Sequence, residues 1–87
     1  MFTVKFEKRA EKDFSKLPLI MKKRVIQAIE ALSSDPKPAG HKKLKGQTEE
    51  LFRIRVGDYR IIYTINDGEL IILVLTIDHR KDVYKSL

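Results

Sequence analysis

One dipeptide, Gly57-Asp58, stands between two stretches of alternating apolar and polar residues, and this constrains the fold more than any other feature of the chain. Leu51 to Val56 and Tyr59 to Ile65 read as strands, and two residues with Gly first are the signature of a tight hairpin turn. Counting outward pairs Val56 with Tyr59, Arg55 with Arg60, Ile54 with Ile61 and Arg53 with Ile62. The period of two then puts Phe52, Ile54, Val56, Tyr59, Ile61 and Tyr63 on one surface. Arg53, Arg55 and Arg60 take the other. Like charges facing each other across a strand pair oppose sheet formation. A bound anion, most simply a phosphate, resolves that conflict; a solvated face with splayed side chains is the competing reading.

Eighty-seven residues specify one domain, 1–87, with a small core that buries roughly 60 to 65% of the unfolded chain's surface. The absence of cysteine excludes a disulfide framework and thiolate metal chemistry, and two separated histidines suggest no zinc site. No metal or cofactor is therefore expected. The longest apolar run, Leu70 to Leu75, is too short to span a bilayer, and no apolar stretch follows a basic start. The expected compartment is the cytoplasm. The formal charge of +6 favours a polyanionic partner, with nucleic acid the commonest. Its distribution is uneven: residues 37–45 carry four lysines and no acid, whereas residues 46–87 carry six basic and seven acidic side chains. The cations of the C-terminal half are mostly arginines, which bind phosphate oxygens as a planar fork.

Phe2, Val4 and Phe6 alternate with Thr3 and Lys5 as a first strand. Ala10, Phe14 and Leu17 then fall at helical spacing, Leu17-Pro18 interrupts, and Met21, Val25, Ala28, Ile29 and Leu32 follow the i, i+3, i+4, i+7 rule. The second helix is expected to stop before Ser33. Lys43-Leu44-Lys45 reads as a short extended piece. Strands at 51–56, 59–65 and 69–77 form an antiparallel meander whose second turn is Asn66-Asp67-Gly68. With Asp67-Gly68 as a two-residue turn, Arg60 pairs with Leu75, so Leu73, Leu75 and Ile77 share the arginine face. The nearly all-apolar third strand should be central and covered on both faces. The expected class is α+β: an N-terminal strand, a helical hairpin, and a three-strand meander forming one sheet packed on the helices.

Gly57-Asp58-Tyr59-Arg60-Ile61-Ile62-Tyr63, preceded by Leu44-Lys45-Gly46 and Leu51-Phe52-Arg53-Ile54-Arg55-Val56 and followed by His79-Arg80-Lys81-Asp82-Val83-Tyr84, resembles the RelE/ParE superfamily of toxin–antitoxin systems. The likeness covers essentially the whole chain. It implies a small α+β toxin, with the RelE-like microbial RNase fold, that enters the ribosomal A site, cuts mRNA there without a metal, and is silenced by a cognate RelB-like antitoxin. In such a reaction the ribose 2′-hydroxyl attacks the adjacent phosphate, which calls for stabilisation of a dianionic phosphorane, a base and an acid.

By the same resemblance, Arg60 and Arg80 match the hairpin and tail arginines expected to grip the scissile phosphate, and Tyr84 matches a tyrosine that stacks on a base. Arg53 and Arg55 match strand positions that are lysines in the best-known RelE pattern. Guanidinium is a poor general base, so proton abstraction is left unassigned. His79 is a candidate acid or base because histidine titrates near neutrality; the competing reading is a residue facing RNA or solvent. Asp78 stands where many relatives have glycine. Lys42, Lys43, Lys45 and Lys81 are candidate RNA-backbone contacts, against a solvated loop with no role. Leu73, Leu75 and Ile77 are candidates for an antitoxin groove, against ordinary sheet core. Two alternatives of function stand beside the nuclease: a ParE-like toxin that blocks gyrase by binding, and a catalytically inactive relative.

Overall fold

The computed structural model describes residues 1–44 and 50–80. Period-two alternation at the N-terminus yields β1 (Thr3–Phe6), whose Val4 and Phe6 turn to the core, and helical spacing takes over in α1 (Lys8–Ser15). Pro18 cannot donate a backbone hydrogen bond, so it sits just ahead of α2 (Leu19–Ser34), where its carbonyl accepts from the Lys22 amide at 3.0 Å. The helix runs to Ser34, past the expected end. Ser33 is recruited by β1: its carbonyl accepts from the Phe2 amide at 2.9 Å, and its hydroxyl donates to the Phe2 carbonyl at 2.7 Å.

After the Pro-rich loop come β2 (Lys42–Leu44), β3 (Leu51–Val56), β4 (Tyr59–Asn66) and β5 (Ile71–His79). The meander therefore belongs to a larger, mixed sheet of five strands in the order β1-β5-β4-β3-β2, with β1 parallel to β5 and the other pairs antiparallel. The β3–β4 register agrees with the sequence reading pair for pair, from Val56 opposite Tyr59 to Arg53 opposite Ile62. Gly57 has φ +60°, as a hairpin turn with Gly in first place requires.

The β4–β5 register departs from expectation twice. Asn66 pairs with Ile71, so the connection spans residues 67–70 instead of two; the Asn66 side chain accepts the Glu69 amide at 3.0 Å, and Leu70 takes the left-handed turn conformation at φ 56°. Then Tyr63 pairs with Val74 but Ile62 with Thr76, which leaves Leu75 as a bulge residue without an opposite partner. A bulge reverses the sense of alternation beyond it. The longer turn moves the register by two residues and the bulge by one, so Arg60 faces Asp78, not Leu75, and Ile77 lies opposite Ile61 in the core at 4% exposure. The expectation that Ile77 shares the arginine face is corrected by this single residue. Leu73, ahead of the bulge, pairs with Thr64 and does lie on that side. Strand β5 lies between β1 and β4, with β4 the middle strand, and its Leu73 and Leu75 are only half-buried, so among the described residues the second face is not covered as expected.

The core lies between the helices and one sheet face. Ala10, Leu17, Val25, Ile29 and Leu32 meet Phe52, Ile54, Val56, Ile61, Tyr63, Ile72, Val74 and Ile77. Each such side chain contributes about 1.5 to 3 kcal/mol of transfer free energy when fully buried, and this fixes which face of the hairpin turns inward. The arginine face is what remains outside.

Candidate functional site

Three adjacent strands place charges in one transverse row: Arg55 on β3 opposite Arg60 on β4, and Arg60 opposite Asp78 on β5. Arg53 lies two residues along β3, and Lys42 on β2 pairs with it, so Lys42, Arg53, Arg55, Arg60 and Asp78 share the outer sheet face. Arg53 is 9% exposed, Arg55 is exposed, and the Arg60 side chain retains 31% exposure. Burial, reinforced by the charge of Arg55 and then of Arg60, lowers the proton affinity of the Arg53 guanidinium below arginine's usual value. Among the described residues neither Arg53 nor Arg55 has an ion-pair partner. The face thus holds several cations close together around a single described carboxylate.

That carboxylate is tied into a wider network. Asp78 Oδ1 lies 3.4 Å from Arg9 Nη2, its Oδ2 accepts the Thr76 hydroxyl at 3.2 Å, and Arg60 Nη2 stands 3.9 Å from Oδ2. The last separation is an ion pair beyond hydrogen-bond length. The Arg60 Nε is buried and has no hydrogen-bond partner among the described residues. Arg9 also approaches Asp13 at 3.9 Å, and the Asp13 carboxylate accepts the Ile77 amide at 3.0 Å. Helix α1 therefore completes the hydrogen bonding of β5 where β1 has ended, and holds Asp78 from the far side.

The remaining candidates are distributed less simply. His79 pairs with Tyr59 and meets its ring edge-on at 4.9 Å, on the helix-facing side of the sheet, away from the arginines. The bulge that brings Asp78 to the arginine face takes His79 off it. Arg80 is exposed, and its amide donates to the Asp58 carbonyl at 2.7 Å, which fixes its backbone beside the β3–β4 turn. Lys43 pairs with Phe52, on the other side of β2 from Lys42, and forms a 3.1 Å ion pair with Glu50. Lys45, Lys81 and Tyr84 lie outside the described residues. No group of three His, Asp or Glu residues is arranged to hold a metal among the described residues, and none of their helices is long and apolar enough to cross a membrane.

Sequence reading missed Arg9 and Thr76 and gave Asp78 no place on this face. The Arg9/Asp13 spacing is visible as an i, i+4 pair, but its alignment with β5 depends on a bulge that leaves no trace in the apolar pattern.

The family model for the ParE toxin of type II toxin–antitoxin systems, parDE, matches residues 4–84. The chain is 35% identical over 85 residues to toxin RelG of Mycobacterium tuberculosis, covering 97% of each. It superposes on the archaeal RelE–RelB complex from Pyrococcus horikoshii with TM-score 0.80 and 31% identity, covering 91% of this chain and 94% of that one. With the M. tuberculosis toxin–antitoxin complex RelBE2 the TM-score is 0.79 at 34% identity, covering 91% and 98%.

Proposed function

We propose that this chain, which belongs to the RelE/ParE superfamily of type II toxin–antitoxin toxins and is RelE-like, acts as a ribosome-dependent mRNA endonuclease. The observation that carries the reading is the outer sheet face, which Arg53, Arg55 and Arg60 share and where Arg60 alone of the three approaches a described carboxylate, that of Asp78. Such a face is electrostatically incomplete without an anion, and a phosphodiester supplies one. In the proposed reaction the ribose 2′-oxygen attacks the neighbouring phosphorus, and the bond to the 5′-oxygen breaks. Charge on the phosphorane is greatest in the transition state, so cations fixed in advance act selectively there. Arg60 holds the phosphate, Arg53 and Arg55 stabilise the developing dianion, and Arg80 closes the site from the turn side. Lys42 follows the RNA backbone, and Tyr84 stacks on a base.

The same reading gives a single domain over 1–87, a cytoplasmic location, and a RelB-like antitoxin as partner, since the solved relatives at 31% and 34% identity are toxin–antitoxin complexes. Leu73, half-buried on the outer face, and the half-buried bulge residue Leu75 remain candidates for the antitoxin surface. The test is induction of the chain without antitoxin, followed by mapping of mRNA ends. New ends within translated codons are expected, and Arg60→Ala should lower cleavage by about 10²-fold or more. Intact messages accompanied by a DNA-damage response would replace this reading with ParE-like inhibition of gyrase.

A further inference from the structure

We infer that Asp78 is the proton acceptor of the arginine face, taking the 2′-hydroxyl proton of the nucleotide whose phosphate Arg60 holds. The inference rests on the nuclease reading and supplies the base that reading lacks. Guanidinium groups stay protonated and cannot accept. Lys42 presents an ammonium with donors only. His79 contacts Tyr59 on the opposite side of the sheet. Asp78 is the carboxylate directly across from Arg60 on this face.

The contacts of Asp78 suit the task. Oδ1 is anchored by Arg9 from helix α1, at 3.4 Å. Oδ2 accepts from Thr76 at 3.2 Å and stands 3.9 Å from Arg60 Nη2. The Arg60 contact is the longest of the three, and so the first to yield when a phosphate competes for the guanidinium. Each carboxylate oxygen offers two lone-pair directions. Thr76 takes one on Oδ2, and Arg60, beyond hydrogen-bond length, leaves the other open to the bound nucleotide. Anchoring by Arg9 and Thr76 keeps the carboxylate in place meanwhile.

The step balances as follows. The proton on O2′ passes to Asp78 Oδ2 as the O2′–P bond forms, and the P–O5′ bond breaks with its electron pair on O5′, which takes a proton from solvent water. A 2′,3′-cyclic phosphate and a 5′-hydroxyl result, and Asp78 returns its proton to solvent.

Single-turnover cleavage on message-programmed ribosomes tests this, alongside affinity for ribosomes whose A-site codon carries 2′-deoxyribose and cannot be cut. Asp78→Asn keeps the shape, with its oxygen accepting from Arg9 and its NH2 donating to the Thr76 hydroxyl; it should cut about 100-fold or more slowly while binding the uncleavable complex within about threefold of the parent chain. Asp78→Glu should cut faster than Asp78→Asn, and formate should partly restore Asp78→Ala. Cleavage by Asp78→Asn within about threefold of the parent would overturn the inference and leave Asp78 as a counter-ion, with the nuclease reading intact. If Asp78→Asn loses binding as well, the formate response decides, and its absence overturns the assignment. A parent chain that leaves the message uncut removes both.

Discussion

Replacing Arg53 with methionine should stabilise the protein, because the native guanidinium is buried among like charges. Arg53 is 9% exposed, and no acid partners it among the described residues. Its neighbours on the same face are Arg55 on its own strand and Arg60 diagonally across the β3–β4 pair, and such diagonal neighbours lie about 7 to 8 Å apart. At an effective dielectric of about 20, two unit charges at about 7 Å repel by about 2.4 kcal/mol. Splaying of the long side chains and salt screening remove half or more of this, and two neighbours act together. Methionine keeps an unbranched apolar stem and removes both the charge and the desolvated donors. The expected gain is about 1 to 3 kcal/mol, and a domain of this size shifts its midpoint by about 4 to 8 °C per kcal/mol. Urea unfolding at low ionic strength measures the difference. The gap should narrow when sulfate is added, since an anion on the face relieves the native protein alone. The folded state lowers the proton affinity of Arg53, so the unfolded chain binds that proton more tightly; the penalty is full wherever arginine is charged in both states, and the gap should be constant from about pH 5 to 9. An Arg53→Met protein no more stable than the parent at low salt would refute the electrostatic argument.

Other residues make sharp tests. Leu70 is 47% exposed and has φ 56°, so Leu70→Gly should raise stability by about 0.5 to 1 kcal/mol in thermal or urea unfolding, by relieving a left-handed conformation that glycine adopts freely. Burial, followed by the charge of Asp35, raises the Tyr63 phenol to about 12, and its hydroxyl donates to the Pro36 carbonyl at 2.7 Å. The folded value exceeds the unfolded one of about 10, so this contribution is complete below pH 10 and is lost as pH rises toward 12. Tyr63→Phe should be less stable at neutral pH by about 0.5 to 1.5 kcal/mol, and should lack that alkaline decline in a pH series of unfolding curves. Asp13→Ala should cost about 1 to 3 kcal/mol, because the Ile77 amide loses its acceptor at the edge of β5.

The hairpin at the centre of the face was legible because a two-residue turn counts its own register and the buried residues on either side repeat every second position. The helices were legible in the spacing of Ala10, Val25, Ile29 and Leu32, and the likeness to toxin families in the Gly57 to Tyr63 segment. The far half of β5 was not. Its turn is longer because Asn66 captures the Glu69 amide and Leu70 adopts the conformation expected of a glycine, and its bulge falls within the apolar run Ile71 to Leu75, where every residue suits either face. Hydrophobicity carries no phase information in such a run. The misassignment of Ile77, the place of Asp78 and the withdrawal of His79 from the arginines all follow from that one ambiguity.

The unpaired Leu75 therefore acts as a phase shifter for the chemistry of the sheet. Excising one residue at that point would leave every catalytic candidate in the gene, yet would exchange Asp78 for its neighbours on the exposed surface. An insertion or deletion in a greasy stretch can thus rewrite a reactive surface as thoroughly as several substitutions. Sequence comparison by residue identity alone would record nothing beyond a gap.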